Sequence, residues 1–192
     1  MSWFRPHRSE RGATLVETAM VLPIILTVAI GMAVLWVPWN WRRTAESVPP
    51  IHDITTDTGN PPEFVDILPL RADAPNPAAH EGDSIAAIQR AAYPDVQPLA
   101  LDLPPDRAFE AALEAARSMG WEIVAAEPDQ GRIEATDTTF WFGFEDDVVI
   151  RVTPAAGGSR VDVRSVSRVG RSDVGTNAKR IREYLDELRE SL

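Results

Sequence analysis

The sequence predicts an α/β fold: a single transmembrane helix followed by a two-layer α/β sandwich, in which two helices pack on an antiparallel sheet. Three observations carry this. Between Trp121 and Ser167, successive segments alternate apolar and polar residues with a period of two. Two other segments, one opening at Pro104 and one closing the chain, repeat apolar residues at spacings of three and four. The stretch TAMVLPIILTVAIGMAVLWVPW, residues 18–39, holds no charged residue.

That stretch comes first in the chain and has the length a helix needs to cross a bilayer core, about 20 residues. Pro23 and Gly31 lie within it, and both are better tolerated in membrane helices than in soluble ones. Trp36, Trp39 and Trp41 gather at its far end, as interfacial anchors do. Residues 1–17 form a short basic leader with Arg5, Arg8 and Arg11, while Arg42 and Arg43 follow the span. A basic N-terminus ahead of an acidic domain predicts a single-pass membrane protein with the domain exported. The apolar run is longer than a signal-peptide core and lacks an A-x-A cleavage site.

Residues 40–92 read as a proline-rich linker or arm ahead of a domain spanning 93–192. Pro49, Pro50, Pro61, Pro62, Pro69, Pro75 and Pro77 leave little room for helix. His52, Asp53 and Asp57 are metal-ligand types without a second histidine at a ligating interval, so a hydrogen-bonded arm is favoured over a metal site. Within the domain, residues 98–103 predict a short strand. Pro104 and Pro105 open a helix with Phe109, Ala112, Leu113 and Ala116 on one face, which Gly120 closes. Trp121, Ile123 and Ala125 point inward from the next strand, and Ile133 and Ala135 from the one after. Val148, Ile150 and Val152 oppose Val149 and Arg151. Val161, Val163, Ser165 and Ser167 oppose Asp162, Arg164, Val166 and Arg168. Asp129-Gln130-Gly131 and Gly157-Gly158 supply hairpin turns. Val174, Ala178, Ile181, Leu185, Leu188 and Leu192 then stripe a final helix that Asp173 can cap.

Composition narrows the chemistry. The 192-residue chain has a net charge of −10, which disfavours nucleic acid as a partner. It has no cysteine, which excludes disulfides, zinc thiolates and cysteine nucleophiles. No cofactor motif is present: the glycines near the C-terminus do not follow a strand in G-x-G-x-x-G order. The charge is uneven, however. Residues 51–159 carry six basic and twenty acidic side chains, whereas residues 160–182 carry seven basic and two acidic ones.

The basic segment suggests a cradle for a small anion, built from Arg151, Arg164, Arg168, Arg171, Lys179 and Arg180 beside a helix start. Asp173 opposes this, since a capping carboxylate stands where an anion would bind. A structural corner with arginines paired to carboxylates is therefore the stronger expectation. Asp137 together with Trp141, Asp146 and Asp147 of the segment FWFGFEDD, residues 140–147, forms a candidate pocket rim, or alternatively the segment is a loop whose rings plug one end of the sandwich. No catalytic or metal-binding set stands out.

Two resemblances add to this reading. RGATLVE, residues 11–17, resembles the processing signal of type IV prepilins and TadE-like pseudopilins, which implies cleavage between Gly12 and Ala13 with Glu17 as the helix-start glutamate. The segments IHDITTDT, PPEF, AAYPDVQPL, GRIEATDTTFWFGFEDDVVIRV and RVDVRSVSRVGRSDVGTNAKRI resemble the DUF1499 family over about residues 51–192. That family implies a membrane-associated domain of unknown activity and hands over no catalytic residues. Three functions follow as expectations: a non-enzymatic envelope module that binds another envelope protein or a small anion, a pseudopilin-like component of a secretion or pilus system, and a hydrolase-like enzyme using carboxylate and arginine side chains. In all three, the bilayer contacts residues 18–39.

Overall fold

The computed structural model describes residues 21–23, 25–36, 39, 48–139 and 143–192, and the chain divides into two units, Met1–Ser47 and Val48–Leu192. In the first unit the described residues are helical, and Leu22, Ile25, Leu26, Leu35 and Trp36 are exposed. Among the described residues no helix is long and apolar enough to cross a membrane, so the spanning helix expected over 18–39 finds no support there. Residues 18–20, 24, 37 and 38 of that span lie outside the described residues, as do Gly12, Ala13 and Glu17.

Among its described residues the second unit contains nine regular elements: β1 (Asp53–Thr55), α1 (Asp83–Ala92), β2 (Leu99–Leu101), α2 (Pro105–Ser118), β3 (Glu122–Glu127), β4 (Arg132–Thr138), β5 (Glu145–Ala155), β6 (Gly158–Ser167) and α3 (Thr176–Glu190). Single 3-10 turns occur at Leu68–Arg71 and Pro128–Gln130. All strands join one antiparallel sheet in the order β1-β6-β5-β4-β3. Strand β2 also pairs with β6, through Leu99–Val161 and Leu101–Ser159, beyond the stretch where Asp53 meets Val166 and Thr55 meets Arg164. The outer edge of β6 is thus covered by two short strands laid end to end.

The predicted antiparallel sheet with helices on one face is present. Ile133, Ala135, Val148, Ile150, Val152, Val161 and Val163 face α2 and α3, meeting Phe109, Ala112, Ala116, Ala178, Ile181, Leu185 and Leu188 in the main core. Tyr184, absent from the predicted stripe, is fully buried there; its ring stacks on Trp121 at 5.1 Å and its hydroxyl donates to the Ala112 carbonyl. Val174 and Leu192 lie beyond the ends of α3 and are exposed.

Two local readings change. A register shift between Ile123 and Ala125 breaks the simple alternation of β3, and Val124 packs on the opposite face of the sheet. The β5–β6 turn is made by Ala156 and Gly157, and Gly158 already pairs with Ala155. A Cβ on Gly158 would stand 2.0 Å from the Leu101 carbonyl oxygen, so the end of β2 can approach this point of β6 only because position 158 has no side chain.

The second face of the sheet is covered by residues 56–80, the proline-rich segment read from sequence as a linker or arm. Residues 48–92 belong to the same compact unit as the sandwich; residues 40–47 lie outside the described ones. Phe64 and Ile67 pack on Val149 and Val166 in a second, smaller apolar cluster. Helix α1 closes the arm: the Gln89 side chain exchanges hydrogen bonds with the backbone N–H and carbonyl of Thr55, taking the place of a neighbouring strand.

Candidate functional site

Alternation in β4, β5 and β6 puts Glu134, Asp147, Arg151, Arg160, Asp162, Arg164 and Arg168 under the arm. Burying so many charges is costly unless each finds a partner. Arg164, only 1% exposed, forms a two-pronged pair with Asp53 at 2.9 and 2.8 Å, and donates further to the carbonyls of Pro62 and Ala78. Its guanidinium lies 5.2 Å from the Phe64 ring centre. Arg151 bridges Asp57 and Asp162, and Arg160 reaches the same two carboxylates.

Asp147 is the centre of the next cluster. It accepts from Arg71 of the arm, from Arg168 and from Thr136, and Arg168 also pairs with Glu145. The bond to Asp147 holds the Arg168 guanidinium above its ordinary pKa. Desolvation moves Arg71 the other way, although Asp147 partly offsets it. Beside this cluster, the Glu134 carboxylate accepts the backbone N–H groups of Val65 and Ile67, each at 2.8 Å, and pairs with Arg132. Arg132 in turn reaches Asp66 at 2.7 Å. The arm is therefore held by ion pairs and by two of its own amides.

The other predicted residues lie elsewhere. Arg180 enters from α3 on the helical side, where it binds Asp137 at 2.7 Å and Asp146 at 2.6 Å and donates to Ser165 and Asn177. Asn177 passes the network on to Ser167 and the His52 carbonyl. Asp146 and Asp147, expected on one rim, thus point to opposite faces, because both lie within β5, which begins at Glu145. Lys179 is exposed and pairs with Glu183, and Arg171 is exposed in the corner before α3. Trp141 lies outside the described residues.

Asp173 fills the helix-start position, though not as the residue immediately before the helix. Gly175, with φ +83°, stands there; the Asp173 carboxylate accepts the N–H groups of Gly175 and Asn177, each at 2.8 Å. Burial pushes the Asp173 carboxyl above its ordinary value despite those two donors.

The cavities do not gather these groups. Arg164 floors a cleft of about 600 Å³ between two stretches of the arm. Arg71 and Arg168 border another of about 260 Å³, and Asp146 and Asp173 a third of about 350 Å³. The predicted anion cradle and carboxylate rim are spread over separate clefts. Among the described residues, no group of three or more His, Cys, Asp or Glu side chains could hold a metal.

Asp53, Arg71, Arg132, Glu134 and Asn177 were not expected at a site. A signal for some of them existed. Charged residues recur at alternate positions of β4 and β6, and such a face needs a polar cover.

The sequence model of the family described as "Protein of unknown function (DUF1499)" matches residues 53–188. No curated protein matches the chain. Among solved structures, the chain is similar to protein CV1439 from Chromobacterium violaceum at 15% identity and a TM-score of 0.36, over 47% of this chain and 91% of that one.

Proposed function

Because the chain belongs to the DUF1499 family, we propose that residues 48–192 form a non-catalytic binding and structural module, tethered to the bacterial inner membrane and facing the periplasm. One observation carries the non-catalytic reading. Arg151, Arg164, Arg168 and Arg180, the cations a catalyst or anion cradle would use, are each bonded to carboxylates of the protein itself. A guanidinium committed to a buried carboxylate gives up a strong bond to take a substrate anion, so these pairs favour a structural role, the first three in the layer between sheet and arm and Arg180 between α3 and the sheet. The tether rests on the uncharged sequence of residues 18–39 and on the exposed apolar side chains of Leu22, Ile25, Leu26 and Leu35.

Calorimetric titration of the full chain with inorganic phosphate should show no saturable binding, and chromogenic carboxylic and phosphoric esters should not turn over. Saturable phosphate binding that disappears in Arg168→Ala, or ester turnover lost in Asp146→Asn, would overturn the reading. For the tether, the protein should stay with bacterial membranes through alkaline carbonate washing. Release into the wash would remove it.

A further inference from the structure

The cleft above Arg164 has features that the clamping role leaves unexplained. Its volume of about 600 Å³ falls in the range of small-molecule sites. Pro61, Phe64, Leu68 and Ala78 give it apolar walls, Asn60 and Glu63 add polar lining, and two further polar groups, Arg164 and His80, also line it.

Both of those groups are donors with a hydrogen to spare. His80 Nδ1 accepts the Gly82 N–H at 3.1 Å, so the neutral ring carries its hydrogen on Nε2. His80 Nε2 is buried and has no partner in the protein. A guanidinium has five N–H bonds. Arg164 commits Nε and one Nη2 hydrogen to Asp53, the other Nη2 hydrogen to the Ala78 carbonyl and one Nη1 hydrogen to the Pro62 carbonyl. One Nη1 hydrogen is left.

The charge of Arg164 is already matched by Asp53, and Glu63 adds a further carboxylate to the cleft wall. A ligand carboxylate would meet that negative charge with no free cation to offset it, whereas a neutral oxygen needs only the two donors.

We propose that this cleft binds an uncharged small molecule with a carbonyl oxygen on an apolar body, the oxygen accepting from His80 Nε2 and Arg164 Nη1 and the body lying against Phe64 and Leu68. This rests on the reading of the domain as a binding module and names its ligand class.

The test is ligand-observed NMR titration of the full chain at pH 8 with three probes of similar size. These are N,N-dimethylbenzamide, isopropylbenzene, which lacks the acceptor, and benzoate, which is charged. The amide should bind at least about tenfold more tightly than isopropylbenzene, as two added hydrogen bonds allow, and more tightly than benzoate. His80→Phe should cut the preference for the amide severalfold, leaving what Arg164 supplies, and His80→Gln, which restores an N–H donor, should recover part of the loss. Ala79→Trp, at an exposed position of the cleft wall, should block the amide outright; it carries the test alone should the His80 variants fail to fold. Equal affinity for amide and isopropylbenzene, amide binding unchanged in Ala79→Trp, or tighter benzoate binding would overturn the proposal. Conversion of the amide to benzoate in the same spectra would instead refute the non-catalytic reading and leave the site standing.

Discussion

Replacing Asp147 by asparagine preserves its shape and removes one negative charge from the layer between arm and sheet. Asp147 has no exposed side-chain surface, and its two cationic partners, Arg71 and Arg168, are 2% and 12% exposed. With the carboxylate, the charges of Arg71, Arg168, Asp147 and Glu145 sum to zero. Without it, two guanidiniums share Glu145 alone, and Glu145 pairs only with Arg168. Stranding a buried charge costs about 3–5 kcal/mol. Arg71 keeps its bonds to the carbonyls of Asn76 and Pro77, and Arg168 keeps Glu145, which argues for the lower end, about 3 kcal/mol. In a domain of this size that lowers the melting temperature by about 10 °C. The assay is urea unfolding of the full chain followed by circular dichroism. Adding Arg71→Met removes the stranded cation, so the double variant should be more stable than Asp147→Asn alone by about 1–2 kcal/mol. A loss below about 1 kcal/mol in the single variant, or no recovery in the double, would refute the claim that charge balance holds the arm in place.

Three further outcomes follow from the same structure. Glu134→Gln leaves one acceptor oxygen for two amides, so hydrogen exchange at Val65 and Ile67 should accelerate at least about tenfold, with a stability loss of about 2 kcal/mol; unchanged protection there would contradict the carboxylate's role. Gly158→Ala drives a methyl into the Leu101 carbonyl and should cost about 3 kcal/mol, against about 1 kcal/mol for Gly157→Ala, which has open space but a φ of +86°; equal melting temperatures for the two variants would count against the close approach of β2. The pH prediction concerns Asp173. Its folded pKa is raised, so the folded state holds the proton more tightly and stability falls as pH rises from about 3.8, the ordinary value, through the raised one. Acidification through that window should therefore stabilise the wild type relative to Asp173→Asn, measured by paired urea titrations; a constant difference across the window would show that burial does not govern this carboxyl.

The sandwich was legible because its cause is local. The alternation from Val148 to Val152 and the stripe from Ala178 to Leu188 each report a face directly, and both faces pack as that periodicity requires. The arm was legible as non-helical but not as a cover. Its attachment depends on pairs such as Asp53 with Arg164, which are 111 residues apart and leave no periodic trace. The acidic pair misled for a smaller reason. Taking Asp146 as loop and starting β5 one residue later hides the fact that neighbouring strand residues face opposite ways, which sends Asp146 to Arg180 and Asp147 to Arg71. Asp173 was read correctly as a helix-start carboxylate, because a short acidic side chain before an amphipathic run has few other uses.

The position of β6 sets the order of assembly. Strands β1 and β2, β5 and helix α3 all meet it, yet it begins at residue 158, about a hundred residues after β1. During synthesis the arm and β1 emerge with their carboxylates exposed and must wait for their arginines. Contacts of such long sequence separation make folding slow, because the whole intervening chain has to be closed into a loop before they form. Throughout that wait the arm remains strongly acidic and hydrated, which opposes premature association between nascent chains. A ribosome stalled before residue 158 would therefore hold an arm not yet locked to its sheet, and protection of Ile54, whose strand pairs with β6, should appear only after β6 is released.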